Sequence, residues 1–390
     1  MRLGDFSLST VVAGFVTVLV GFTSSAVIVF QGAAAMGANA AQIGSWMWAL
    51  GLGMAITCIG LSLRWRTPVV TAWSTPGAAL LIGAGASATL PEAIGAFLVS
   101  ALLMTVAGFS GVFERLMNRI PVAIASGMLA GVLLRFGLDA FISLKSQFWL
   151  VAGMFVVYLA GRRLVPRYAV IGAFAAGIAV AAAQGLIQMQ AVQLQWAQPV
   201  WTTPQFSLGA LVGVAVPLFA VTMASQNVPG VAVIRAAGYA TPISPALGWI
   251  GVVNLLLAPF GAFALNLAAI TAAICMGREA HEDPQRRYTA AVSAGIFYLI
   301  IGLAGATVAA VFAAFPRELV AGIAGIALLG TIGNGLAQAT ASERDREPAL
   351  VTFLVTASGL SMAGIGSAFW GLVAGGLTLA VLRAHYNPVS

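Results

Sequence analysis

The 390-residue sequence predicts an all-α polytopic membrane protein of about fourteen transmembrane spans, built as two inverted repeats of seven. Three observations predict it. Hydrophobic residues make up 60% of the chain and charged ones only 7%, with a mean hydropathy of +0.99. That much hydrocarbon exceeds what a soluble core buries, so the chain is read as integral to a bilayer. Its basic residues fall almost wholly in alternate loops between the apolar stretches. Finally, Pro121, Gly127, Leu133 and Leu134 recur as Pro316, Gly322, Leu328 and Leu329, each 195 residues later, half the chain length.

A bilayer core about 30 Å thick takes roughly 20 helical residues to cross. Breaks at charge clusters, Pro and Gly place spans near 9–32, 41–62, 69–86, 91–113, 120–138, 147–161, 167–185, 208–230, 243–258, 262–277, 288–314, 317–338, 348–363 and 366–384. With the amino terminus inside, every basic residue becomes cytoplasmic except Arg135, Lys145 and Arg317, as the positive-inside rule requires. Shifting the count by one span reverses the bias. Both termini are therefore expected in the cytoplasm. The pI near 10.1 follows from the same residues and calls for no nucleic-acid partner, because no basic run carries interleaved aromatics.

Taken in order, span one follows Met1-Arg-Leu-Gly-Asp5, one basic residue before an apolar stretch too long for a signal core, and is read as a retained helix. Ser24 and Ser25 within it suit close helix packing. Span three is interrupted: β-branched residues after Pro68 lead into Trp73-Ser74-Thr75-Pro76-Gly77 and then a small-residue helix. Thr75 is the expected N-cap and Pro76 the first helical residue. Spans five and twelve open on the repeated prolines, one running outward and the other inward, which makes the halves 1–186 and 208–390 inverted. The connector 187–207 carries Gln188, Gln190, Gln193, Gln195, Trp196, Gln198 and Trp201 without charge and reads as an external interfacial segment. Span eight holds Thr222, Ser225, Gln226 and Asn227 before Pro229 and Gly230. Amides at such depth face a cavity or bundle interior, or else bond a neighbouring helix beside a Pro kink. Span ten stands where span three does in the first half, with Asn266 as its expected cap and Thr271 just beyond. Arg135 and Asp139, one turn apart, suit a local ion pair, and Glu343-Arg-Asp-Arg-Glu347 reads as a solvated loop.

Unwound backbone is tolerable at mid-membrane only where protein buries it or it lines a cavity. Two half-helices whose positive ends point at one spot make an anion site with no charged side chain. The competing reading, for each span, is a Pro-kinked helix bonded internally.

At these residues the chain resembles the BenE family, the bacterial benzoate/proton symporters. The likeness is carried by Thr71-Ala-Trp-Ser-Thr-Pro-Gly-Ala-Ala-Leu-Leu81, Ala130 to Leu138, Pro217-Leu-Phe-Ala-Val-Thr-Met-Ala-Ser-Gln-Asn-Val-Pro-Gly230, Ala269 to Cys275, Thr356 to Leu360 and Gly364 to Leu372. It spans nearly the whole chain. The resemblance implies the fold of nucleobase permeases and sulfate-type anion transporters, with a core domain of spans one to four and eight to eleven and a gate domain of spans five to seven and twelve to fourteen. Ser225-Gln226-Asn227 and Leu265-Asn266 stand where a uracil permease carries two substrate-binding Glu residues. Uncharged amides suit an anion there, but they also remove the obvious proton carrier.

Enzyme chemistry finds no support. The only histidines are His281 and His385, and His281-Glu-Asp-Pro-Gln285 lacks the second His of a zinc-protease motif. Cys58 and Cys275 lie in separate spans without metal spacing and are read as packing residues; no cofactor is expected. The expected function is import of benzoate or a related aromatic monocarboxylate with protons, the alternatives being a channel or uptake of another organic anion. Trp73, Ser74, Thr75, Pro76, Gly77, Ser225, Gln226, Asn227, Asn266 and Thr271 are the expected substrate-binding residues. The bacterial inner membrane is the expected location, and a homodimer is expected by fold analogy alone.

Overall fold

The computed structural model describes residues 5–84, 88–117, 120–187, 196–304, 314–360, 362 and 367–384. The chain is mostly helical, and helices such as Ala40–Trp65, Leu90–Phe109 and Leu208–Ala236 are long and apolar enough to cross a membrane. The first helices start where side chains can satisfy free amides. In α1 (Leu8–Ala35) the Ser7 hydroxyl accepts from the Thr10 amide at 3.3 Å while the Ser7 amide donates to the Thr10 hydroxyl at 3.0 Å. Asn39 and Gln42 exchange the same pair of bonds at the start of α2 (Ala40–Trp65).

After α2 the chain does not continue as one helix. It runs extended as β1 (Thr71–Trp73), turns into α3 (Thr75–Ala84) and returns as α4 (Leu90–Phe109). A turn at Gly111, φ +71°, separates α4 from the short α5 (Val112–Met117), so the expected single span 91–113 is two elements. α6 (Val122–Ile142), α7 (Phe148–Leu164) and α8 (Ala169–Ala183) follow. The second half runs as α9 (Leu208–Ala236), α10 (Ile243–Leu257), β2 (Leu265–Leu267), α11 (Ile270–Met276), α12 (Tyr288–Leu303), α13 (Arg317–Thr340), α14 (Glu343–Ala357) and α15 (Ser367–Ala384). The Glu343–Glu347 run, expected as a loop, is the exposed first turn of α14. Glu343 and Asp345 favour the positive end of that helix.

β1 and β2 pair antiparallel, Thr71 opposite Leu267, Ala72 opposite Asn266 and Trp73 opposite Leu265. Each interrupted span thus satisfies its extended backbone against the other, and neither is a continuous Pro-kinked helix. Around this ladder α2 packs on α12 and α4 on α10, while α1 lies against α3, α11 and α12. Trp46, Phe97 and Phe263 fill the space beside it with ring centroids 5.4 to 5.8 Å apart. Away from the ladder α6 runs along α13, α7 along α8 and α14 along α15. The repeated prolines cap α6 and α13 with nearly the same backbone angles, φ −60° and ψ 145° at Pro121, φ −62° and ψ 142° at Pro316. Gly127 lets α6 touch α14 so closely that a Cβ would lie 2.5 Å from the Ala349 carbonyl oxygen.

Three amides strap the connector to the helix ends: Ala197 donates to Leu303, Thr202 to Pro259 and Gln205 to Pro91. Trp196 and Trp201 are exposed on it, whereas Gln188, Gln190, Gln193 and Gln195 lie outside the described residues. On another face, Glu114 of α5 accepts from the Ile243 and Ser244 amides at 3.3 and 2.8 Å and caps α10. Burial alone would push its carboxyl up, but these bonds and nearby Arg235 hold it below its ordinary value.

Candidate functional site between the half-helices

The site is built from the outside in. Thr57 of α2 shares a 2.6 Å hydrogen bond with Thr71, and the Thr71 amide donates to the Cys58 sulfur at 3.2 Å, which fixes β1. β2 is clamped twice. Asn254 of α10 donates to the Leu265 carbonyl and accepts from the Leu265 amide, both at 3.0 Å, and Asn227 of α9 accepts from the Leu267 amide at 2.9 Å. Gly230 permits this approach, since a Cβ there would sit 2.7 Å from Leu267 Cβ. Thr17 of α1 reaches the Thr271 carbonyl at 3.3 Å and the Cys275 sulfur at 3.2 Å. Both cysteines are thereby buried packing and bonding groups.

Where the ladder ends, a cavity of about 80 Å³ opens among α1, α3, α9 and α11, room for several waters. Trp73, Thr75, Gln226 and Thr271 line it, with Ser25, Phe136 and Tyr298. Among the described residues no charged side chain does. The Trp73 ring is 4% exposed, meets Phe22 edge-on at 6.0 Å, and donates its indole N–H to the Ser25 hydroxyl at 2.9 Å. Ser25 in turn donates to the Gly21 carbonyl at 3.0 Å, so its role is wider than the expected helix packing; the Ser24 side chain lies outside the described residues.

Other expected site residues surround the cavity without lining it. Ser74, not Thr75, caps α3: its hydroxyl accepts from the Gly77 amide at 3.0 Å and from Thr222 at 3.2 Å. The helix therefore begins one residue earlier than expected. Pro76 falls at its second position, where a missing N–H still costs nothing, and Thr75 is left to face the cavity. Gly77 meets α9 instead, a Cβ there lying 2.8 Å from Leu218 Cδ1. Asn266 is not the cap of α11. It sits in β2, donates to the Ala264 carbonyl at 2.9 Å and leaves its buried Oδ1 without a partner among the described residues. α11 starts four residues later after Ala269, with no side-chain cap. Asn227 and Ser225 are buried with Gln226 on one wide π turn, Met223–Asn227, and Asn227 spends its carbonyl on β2 while Gln226 turns to the cavity. Phe136, Tyr298 and Asn254 were missed. Asn254, an amide in an apolar span, carried the same signal as Gln226, whereas Phe136 and Tyr298 carried none among so many aromatics.

The model of the benzoate membrane transport protein family, BenE, matches residues 4–381. The chain belongs to the BenE family. It is 50% identical over 383 residues to inner membrane protein YdcO of Escherichia coli (strain K12), covering 98% of each chain. It is 38% identical over 378 residues to the benzoate membrane transport protein of Acinetobacter baylyi (strain ATCC 33305 / BD413 / ADP1), covering 97% of this chain and 96% of that one. This BenE fold also resembles the solved structure of SLC26A9, with a TM-score of 0.52 at 12% identity over 100% of this chain and 67% of the other. At that identity the likeness concerns the fold alone. Family membership makes the protein a membrane transporter and not an enzyme.

Proposed function

We propose that this BenE protein imports benzoate, or a closely related aromatic monocarboxylate, by proton symport across the bacterial inner membrane. The carrying observation is the cavity: hydroxyls of Thr75 and Thr271 and the amide of Gln226 supply neutral donors, and Trp73, Phe136 and Tyr298 supply an aromatic wall. In this reading the carboxylate takes those donors together with first-turn amides of α3 and α11, and the ring lies toward Trp73. Ser74, Pro76, Gly77, Ser225, Asn227 and Asn266 shape and brace the site. The family and the 38% identical benzoate transport protein support the substrate class.

An inverted seven-plus-seven design is supported by the packing. Exchanging each span with the one seven places on turns the α2–α12 contact into the α4–α10 contact, and the α6–α14 contact into the α7–α13 contact. The β1–β2 and α6–α13 pairs map onto themselves. Alternating access then moves the core, spans one to four and eight to eleven, against the gate, spans five to seven and twelve to fourteen, with both termini cytoplasmic. A homodimer follows by fold analogy only.

Moving one anion inward against 100 mV costs about 2.3 kcal/mol, which one accompanying proton cancels. No acidic side chain lines the cavity among the described residues, so the proton is proposed to travel with the substrate carboxylate. Gln226→Glu tests the site. Benzoate binding should fall at least tenfold at pH 7.5, where two carboxylates would face each other, and partly recover at pH 5 as one takes up a proton. Equal binding by variant and wild type across that range would move Gln226 away from the anion and refute the arrangement.

A further inference from the structure

A second cavity, about 130 Å³, lies at the other end of α11. Met276 and Arg278 form one wall, so this seven-residue helix reaches from the central cavity to this one, roughly 10 Å. Val233 of α9 and Arg287 add to that side, and Asn334 and Gln338 of α13 close the other. Its walls thus come from both sides of the proposed core–gate divide, on the face that the charge pattern assigns to the cytoplasm.

Two arginines and two amides make this an anion-attracting space. The Arg287 side chain is only 7% exposed and donates to three main-chain carbonyls, those of His281 at 2.6 Å, Met276 at 2.9 Å and Glu282 at 3.2 Å. Carbonyls orient the guanidinium without neutralising it. Of the neighbouring carboxylates, Glu279 pairs with Arg162 at 3.4 Å and Asp283 with Arg286 at 3.5 Å, and Glu282 is exposed. Among the described residues neither Arg278 nor Arg287 forms an ion pair with a carboxylate. A largely buried, unneutralised cation beside an open polar space favours an anionic occupant. Gln338 accepts from the Ser126 hydroxyl at 3.1 Å through its carbonyl, which keeps its NH2 group as a donor.

We infer that this cavity is a second carboxylate site, occupied after the substrate leaves the central cavity and before it enters the cytoplasm. The inference rests on the inward aromatic-carboxylate transport proposed above. Its ligand is a small organic carboxylate held by guanidinium and amide donors.

Protection from thiol labelling tests it, because the half-buried Ala237 lines the cavity without supplying a side-chain donor and the native Cys58 and Cys275 are buried. In inside-out vesicles, benzoate should slow modification of Ala237→Cys by an impermeant maleimide at least fivefold, while neutral benzamide should not. Protection should persist at pH 7.5 when Gln226→Glu disables the central site. It should fall below twofold with Arg278→Gln and return with Arg278→Lys; Arg278 is exposed, so both variants are expected to fold. Protection abolished by Gln226→Glu but kept in Arg278→Gln would mean that the cavity only reports central occupancy, and would overturn the second site. Absence of protection in an Ala237→Cys protein that still exchanges benzoate overturns it too and leaves the transport reading standing. Absence of benzoate exchange in the wild type removes both.

Discussion

At the residue scale, two adjacent amides show how one position decides a role. Gln226 and Asn227 are chemically alike, yet the π turn sends one to the cavity and the other to the Leu267 amide. Their neighbourhood was legible in the sequence, because amides in an apolar span need partners. Which of them faces the cavity was not, since a local widening of the helix sets it. Trp73 is likewise specific: its indole N–H is held by Ser25, which leaves the ring as the part available to the proposed substrate. Trp73→Ala is expected to weaken benzoate binding at least fivefold and acetate binding less than twofold, measured by competition in the same binding assay. Equal losses for both acids would make Trp73 a packing residue.

At the scale of elements, the ladder is the unit that turns two broken spans into a site. Ser-Thr-Pro-Gly at 74–77 advertised the first break, and the position of Asn266 in the second half pointed to the other. The strand pairing was illegible because two three-residue strands nearly two hundred residues apart carry no periodic signal. The caps were misread for a related reason: Ser, Thr and Asn all qualify, and the tertiary contacts of Ser74 with Thr222 and of Asn266 with Ala72 across the ladder choose between them. Asn254 holds both polar groups of Leu265. Asn254→Leu strands those groups in an apolar setting, so a loss of about 2–4 kcal/mol is expected, read as a lower apparent Tm of detergent-solubilised protein together with reduced benzoate binding. An unchanged Tm would show that β2 does not depend on the clamp.

At the scale of the whole molecule, the pairing of α6 with α13 and of β1 with β2 runs along the axis that would relate the proposed repeats, and the positive-inside pattern gives their expected orientation. Gln198 and Glu343 are both exposed and should lie on opposite sides. With right-side-out vesicles, an impermeant maleimide should modify Gln198→Cys and spare Glu343→Cys; the reverse at both positions would overturn the inverted arrangement. The central claim is that a neutral cavity carries an aromatic carboxylate and a proton together, and uptake of labelled benzoate into proteoliposomes, with the pH gradient and the potential imposed separately, tests it most directly. An inward-directed proton gradient with the potential clamped at zero should accumulate benzoate above equilibrium, and an inside-negative potential at equal pH should add nothing. Accumulation driven by an inside-positive potential and indifferent to pH would contradict the account.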